Sequence, residues 1–255
     1  MKIKVGGFTA VIGLVVLWFG VPAFGQDVTI DFTGIKNTSV QTLGSYAGYY
    51  TGTVNGVAEA PGFICDDYND EIFLPSESWQ ATAASFASLA TMSVATLDSS
   101  TLFGKTIGLD GYAAIANLSA QMATGTPAQQ ANLSAAIWYI GSLHSGSPVP
   151  WGDLSAAQQT LVNQMIALYG SLSGGSDGSA ALAELESSSL WLYTPTGAGI
   201  TPVGDPFPQE FVGNVAVPEG GATFMFLLLA GGSCFGAMFY KHRKQLAMSK
   251  QLSFA

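Results

Sequence analysis

The chain has 255 residues, 48% hydrophobic and only 10% charged, with a formal net charge of −9 at pH 7. All 17 acidic residues fall between Asp27 and Glu219, where only Lys36 and Lys105 of the 8 basic residues lie, so that span carries a net −15. A surface this acidic repels phosphate backbones, which argues against a nucleic-acid partner and suits an extracellular protein or one that binds cations.

The chain begins "MKIKVGGFTAVIGLVVLWFGVPAFGQ": two lysines, an uncharged run from Val5 to Pro22, then the small-x-small set Ala23-Phe24-Gly25. This is the pattern of a secretory signal, so residues 1–25 are expected to be a signal peptide and Gln26 the mature N-terminus. The exported body, residues 26–194, is long enough for one good-sized domain. Cys65 is its only cysteine, since Cys234 lies in the C-terminal apolar run. No internal disulfide is then available, and stability must come from a hydrophobic core.

Val28–Ile35 ("VTIDFTGI") alternates apolar and polar residues as a half-buried strand does. Gly44–Val57 carries a Tyr/Thr/Val run ending in Asn55-Gly56, a tight-turn signal, and "GFICDDY" reads as the returning strand. "SWQATAASFA" fits a strand or a short helix. From Gly111 to Ala123 the pattern turns helical, with Tyr112, Ile115, Ala116, Leu118 and Met122 near one face. Pro127 opens another helix with Thr126 as its N-cap. Asp153 is the expected cap of "LSAAQQTLVNQMIALYGSL", whose Leu154, Leu161, Met165, Ile166 and Leu168 form an apolar stripe. Gly174–Gly178 reads as a loop, and "SLWLYTP" and "EFVGNV" read as closing strands, the second inside a Gly/Pro-rich linker spanning 195–216. The class is α+β: a β-rich ectodomain with an inserted helical region, plus terminal hydrophobic helices.

Gly221–Tyr240 is a 20-residue stretch without charge, followed at once by Lys241-His242-Arg243-Lys244. Its length suits a membrane-spanning helix, and the basic block marks the cytoplasmic side, leaving 245–255 as a cytoplasmic tail. "VPEGGATFMFLLLAGG…YKHRK" resembles the PEP-CTERM sorting signal of bacteria with an outer membrane, here in a VPEGG variant (Val217, Pro218, Glu219, Gly220) over residues 217–244. The resemblance implies export, anchoring in the membrane through the C-terminal helix, and an exosortase-type enzyme as a processing partner. It says nothing of activity.

Around the cysteine, "GYYTGTVNG…FICDDYNDEIFLPSESW…GYAAIANLSAQM…AAIW" resembles the extracellular thioester domains of bacterial surface adhesins. In those proteins a cysteine reacts with a glutamine to form an internal thioester, an electrophile that captures an amine. The resemblance maps the cysteine onto Cys65 and a Thr-Gln-x-Ala-x-Trp-like motif onto "LSAAIW", through Ala136, Ile137 and Trp138. The position that should hold the glutamine is Ser134, whose hydroxyl offers no acyl carbon. Gln130, about one helical turn away, is a substitute displaced by about 6 Å. Otherwise Cys65 is a small buried side chain. A Cys-His nucleophile would need His144, a loop histidine far off in sequence.

Asp66, Asp67 and Asp70 supply oxygen ligands for a cation, but "DDYNDE" lacks the spaced loop of a strong calcium motif, and alternation along a strand would split these carboxylates between two faces. Tyr46, Tyr49, Tyr50, Trp79 and Trp151 are available for sugar stacking, although residues of this kind more often build a core. No catalytic residues, metal or cofactor are expected: the metalloprotease, serine-hydrolase and phosphate-loop signatures are absent. The expectation is a non-enzymatic surface or extracellular-matrix protein with an adhesive or structural role and a polysaccharide or other surface ligand. The alternatives are covalent capture through a Cys65 thioester with an unconventional glutamine, and a secreted glycan hydrolase using acids near Asp67.

Overall fold

Residues 25–66, 77–93, 96–97, 101, 104–143, 149–172, 178–196 and 209–214 are described in the computed structural model of the chain. The chain divides into two units at Val217/Pro218, and every described residue lies in the first. Residues 1–24 of the expected signal peptide, the motif Val217-Pro218-Glu219-Gly220, the expected span 221–240 and the tail 245–255 fall outside the described residues. Among those that are described, no helix is long and apolar enough to cross a membrane.

Among the described residues, nine strands and five α-helices make a mixed α+β, β-rich fold. The strands are β1 (Gln26–Ile35), β2 (Gln41–Thr42), β3 (Ser45–Tyr46), β4 (Tyr49–Val54), β5 (Val57–Ala58), β6 (Phe63–Cys65), β7 (Glu77–Ser85), β8 (Trp191–Pro195) and β9 (Phe211–Gly213). All pairings are antiparallel, in the order β1-β7-β8-β9-β6-β4, and β4 returns to β1, so six strands close into a barrel. β5 extends the free half of β4, and β2 and β3 form a separate small ribbon. Closure leaves few unpaired strand edges, which otherwise invite association.

The alternating burial of β1 puts Val28, Ile30 and Phe32 in the core. Phe32 stacks on Trp79 with ring centroids 4.7 Å apart, and lies 4.8 Å from Phe63 and 4.6 Å from Phe211, so four strands are joined through one aromatic cluster. Aromatic pairs at such separations add about 0.5–1.5 kcal/mol each beyond their buried area. Two backbone positions shape the barrel. Asn55 (φ 51°) and Gly56 (φ 79°) make the left-handed turn expected of Asn-Gly, reversing β4 into β5. At Gly52 a Cβ would run into the Asp31 carbonyl, so only glycine lets β1 and β4 meet there.

The helices are α1 (Phe86–Leu89), α2 (Gly104–Met122), α3 (Pro127–Ser142), α4 (Ala156–Tyr169) and α5 (Ser179–Ser187). "SWQATAASFA" resolves into both readings: β7 runs to Ser85, whose Oγ accepts from Ser88 N and caps α1. α2 is the central helix. It begins seven residues before the expected Gly111 and kinks at Gly108 (φ 57°, ψ −164°). Tyr112, Ile115, Ala116, Leu118 and Met122 are buried as expected, but Ala113 and Ala114 are buried too, because the helix has neighbours on several sides.

The expected start of α3 is found in full. Thr126 Oγ1 accepts from Gln129 N, Gln129 Oε1 accepts from Thr126 N at 2.8 Å, and Pro127 holds the first turn. For α4 the expected cap is corrected. Asp153 ends a short 3-10 turn (Trp151–Asp153), Leu154 is extended, and Ser155 caps the helix with Gln158 completing the box. The expected stripe is corrected as well: Leu154 and Met165 are buried and Leu161 is half-buried, but Ile166 and Leu168 are exposed. The buried face is Gln158, Val162, Met165 and Tyr169, a sequence spacing of four, three and four that follows one helix side. α5 was not anticipated, although "SAALAELES" is rich in helix formers.

Candidate functional site

Cys65 ends β6, with its Cα partner Phe211 on β9. Alternation along the chain puts Gln209, two residues before Phe211, on the same face as that residue and diagonal to Cys65, within reach of a long side chain. The structure closes that distance: Cys65 Sγ donates to Gln209 Oε1 at 3.2 Å. Cys65 is 2% exposed and Gln209 7%. A thiol and a carboxamide therefore meet in a dry place at one end of the aromatic interior.

Helix α3 braces this pair. Trp138 is buried, and its Nε1 donates to the Cys65 main-chain carbonyl at 3.0 Å, tying helix to strand directly at the cysteine. One helical turn earlier, Ser134 Oγ accepts from Gly48 N at 2.9 Å, just before β4 begins. Of the three positions suggested by the resemblance, the structure thus brings Cys65 and Trp138 together and gives Ser134 a different task. Ser134 satisfies a buried backbone N–H. Gln130 is not brought to Cys65: its Nε2 donates to the Met122 carbonyl at 3.2 Å, and it lines a separate cavity with Lys36 and Tyr49.

The β9 side is pinned as well. Glu210, fully buried, accepts from Tyr112 Oη of α2 at 2.8 Å through Oε1 and from Thr194 Oγ1 of β8 through Oε2. Asp66 N donates to the Glu210 carbonyl, which carries the β6–β9 pairing one step past Cys65. Beyond the strand, Asn214 N donates to Glu59 Oε1. The residues following Cys65 and Gln209 in sequence thus fix the two strands against each other and against the helices. Tyr50, also buried, has its phenol held far above the ordinary range chiefly by burial, so it stays neutral.

Asp66 is buried, while Asp67 and Asp70 lie outside the described residues, as does His144. Among the described residues no group of three or more His, Cys, Asp or Glu is placed to hold a metal. Of the aromatics considered for sugar stacking, Tyr49, Tyr50 and Trp79 are core, and only Tyr46 and Trp151 are exposed. Gln209 was missed at the sequence level. Its signal was strand alternation in "QEFVG", but the pairing of β9 with β6 was needed to aim it at Cys65.

The chain matches no protein-family model, no curated protein and no solved structure.

Proposed function

We propose that this is an exported, envelope-held capture protein in which Cys65 and Gln209 form an internal thioester that acylates an amine on an extracellular partner. The carrying observation is the 3.2 Å approach of Cys65 Sγ to Gln209 Oε1 inside the barrel. Sulfur adds to the Gln209 side-chain carbonyl carbon, the S–H proton passes to the departing nitrogen, and one ammonia leaves as the C–N bond breaks. An incoming amine then attacks the same carbon, the C–S bond breaks, and the Cys65 thiol is restored beside a new amide. Burial keeps water, the competing nucleophile, away from the thioester. Each molecule captures one partner, so this is a single ligation and not turnover. Export and anchoring rest on the lysine-flanked N-terminal run, the acidic body and the uncharged Gly221–Tyr240 stretch ahead of four basic or titratable residues.

Intact mass of the purified protein tests the bond. An N-terminal Gln26 can cyclise with loss of one ammonia as well, so the informative quantity is the loss that disappears on Cys65→Ala and on Gln209→Ala. Methylamine should replace the missing mass with a gain of one CH2 over the chain without the bond and place a methylamide at Gln209 in peptide maps. Wild-type and Cys65→Ala proteins lacking the same mass, with a wild-type thiol that labels fully after denaturation, would remove the proposal.

A further inference from the structure

A second feature lies apart from Cys65, where the α2–α3 connection faces α4. A cavity of about 420 Å³ opens there, and none of its described lining residues is charged. We propose that this groove binds a neutral glycan.

The hydrogen-bonding inventory supports that ligand class. Asn132 makes no side-chain hydrogen bond among the described residues, so its carboxamide offers both a donor and an acceptor. Gln129 commits Oε1 to Thr126 N and Oγ1 in the capping box, leaving its NH2 group to donate. Gln121 commits Nε2 to Asn117 Oδ1 at 2.8 Å, leaving Oε1 to accept. Thr160 Oγ1 donates to the Ala156 carbonyl at 2.7 Å, leaving lone pairs to accept. The lining therefore offers both donors and acceptors, and a sugar hydroxyl, which is both, matches either kind. Leu133 and Leu161 supply an apolar floor for the C–H face of a sugar ring.

The alternatives fit less well. An anion would seek the N-terminus of α3, but the Thr126–Gln129 box already takes up the Thr126 and Gln129 N–H groups there, and the acidic body repels carboxylate polymers. A cation finds no carboxylate in the described lining. The volume falls within the usual range for small-ligand sites.

Saturation-transfer NMR reads the ligand and tolerates the full chain in a detergent that carries no sugar. The probes are maltotriose, cellotriose and mannotriose, with trigalacturonate as the acidic comparison. At least one neutral trisaccharide should receive saturation and trigalacturonate should not. Asn132→Ala should weaken binding about fivefold, the loss of about one hydrogen bond. Thr160→Glu, at an exposed helical position where the fold is retained, should abolish binding by filling the groove with a charge. Cys65→Ala should bind as wild type does, which separates this site from the thioester. Absence of saturation by every neutral probe, equal binding of trigalacturonate, or unchanged binding in both groove variants would each overturn the assignment.

Discussion

Ser134 stands where local sequence suggests an acyl donor, yet it is Gln209 that the fold brings to Cys65. The motif "LSAAIW" directs attention to position 134, where a hydroxyl stands in place of a carboxamide, and the fold uses that hydroxyl as the acceptor for the buried Gly48 N–H. Ser134→Ala should therefore destabilise the protein by about 1–3 kcal/mol, the cost of leaving a buried donor unmet. It should nevertheless leave the Cys65-dependent ammonia loss intact, because the proposed acyl donor is Gln209. Denaturant midpoints and intact mass on the same sample read both effects, and a mass loss abolished by Ser134→Ala would restore position 134 to the chemistry. The same reasoning applies to Tyr112, whose hydroxyl donates to the buried Glu210 carboxylate at 2.8 Å. Tyr112→Phe keeps the ring but removes that donor, so a loss of about 1–3 kcal/mol is expected in denaturant unfolding.

Elements with a local cause were legible in the sequence, and those set by partners far along the chain were not. The β4–β5 reversal follows from Asn55-Gly56 and the start of α3 from Thr126, Pro127 and Gln129, all within a few residues of one another. Thr126→Ala should cost about 1 kcal/mol, as removal of an N-cap usually does. For α4, Asp153 and Ser155 are both good caps, and only the extended backbone of Leu154 separates the turn from the helix. Ile166 and Leu168 read as core because they are apolar, yet the buried side passes through Val162, Met165 and Tyr169. Periodicity alone does not say which of two overlapping stripes faces the other helices. The candidate site was half legible: Cys65 and Trp138 stand in recognisable motifs, whereas Gln209 lies 144 residues from Cys65 and becomes its neighbour only when β9 enters the barrel.

At the scale of the molecule, that late strand completes the closure, and buried tyrosines on the strands and on α4 set the alkaline limit of stability. Phe211 and Val212 are fully buried, and at about 1.5–3 kcal/mol per side chain they alone contribute a large part of the 5–15 kcal/mol typical of a domain. A chain ending at Pro208 should therefore lose cooperative unfolding along with Gln209. Within the intact fold, Tyr49 and Tyr169 are pushed up to about 12, Tyr49 by burial and then by Glu59, and Tyr169 by burial and then by its hydrogen bond to Glu184. Tyr50 and Tyr193 are driven further in the same direction, chiefly by burial. Unfolded tyrosine ionises near 10. A raised folded pKa means that the native state holds its proton where the unfolded chain releases it. The stabilisation is thus complete below pH 10 and drains away as pH climbs through 10 towards 12 and beyond. Melting temperatures of Cys65→Ala, chosen so that alkaline hydrolysis of the proposed thioester does not intrude, should be insensitive to tyrosine ionisation near neutrality and fall steeply across that window. Tyr169→Phe should start lower, having lost the Glu184 and Asn117 bonds, but fall less steeply because one of the protons is gone. A melting temperature unchanged up to pH 12 would mean that these phenols reach solvent in the native state, contrary to their burial.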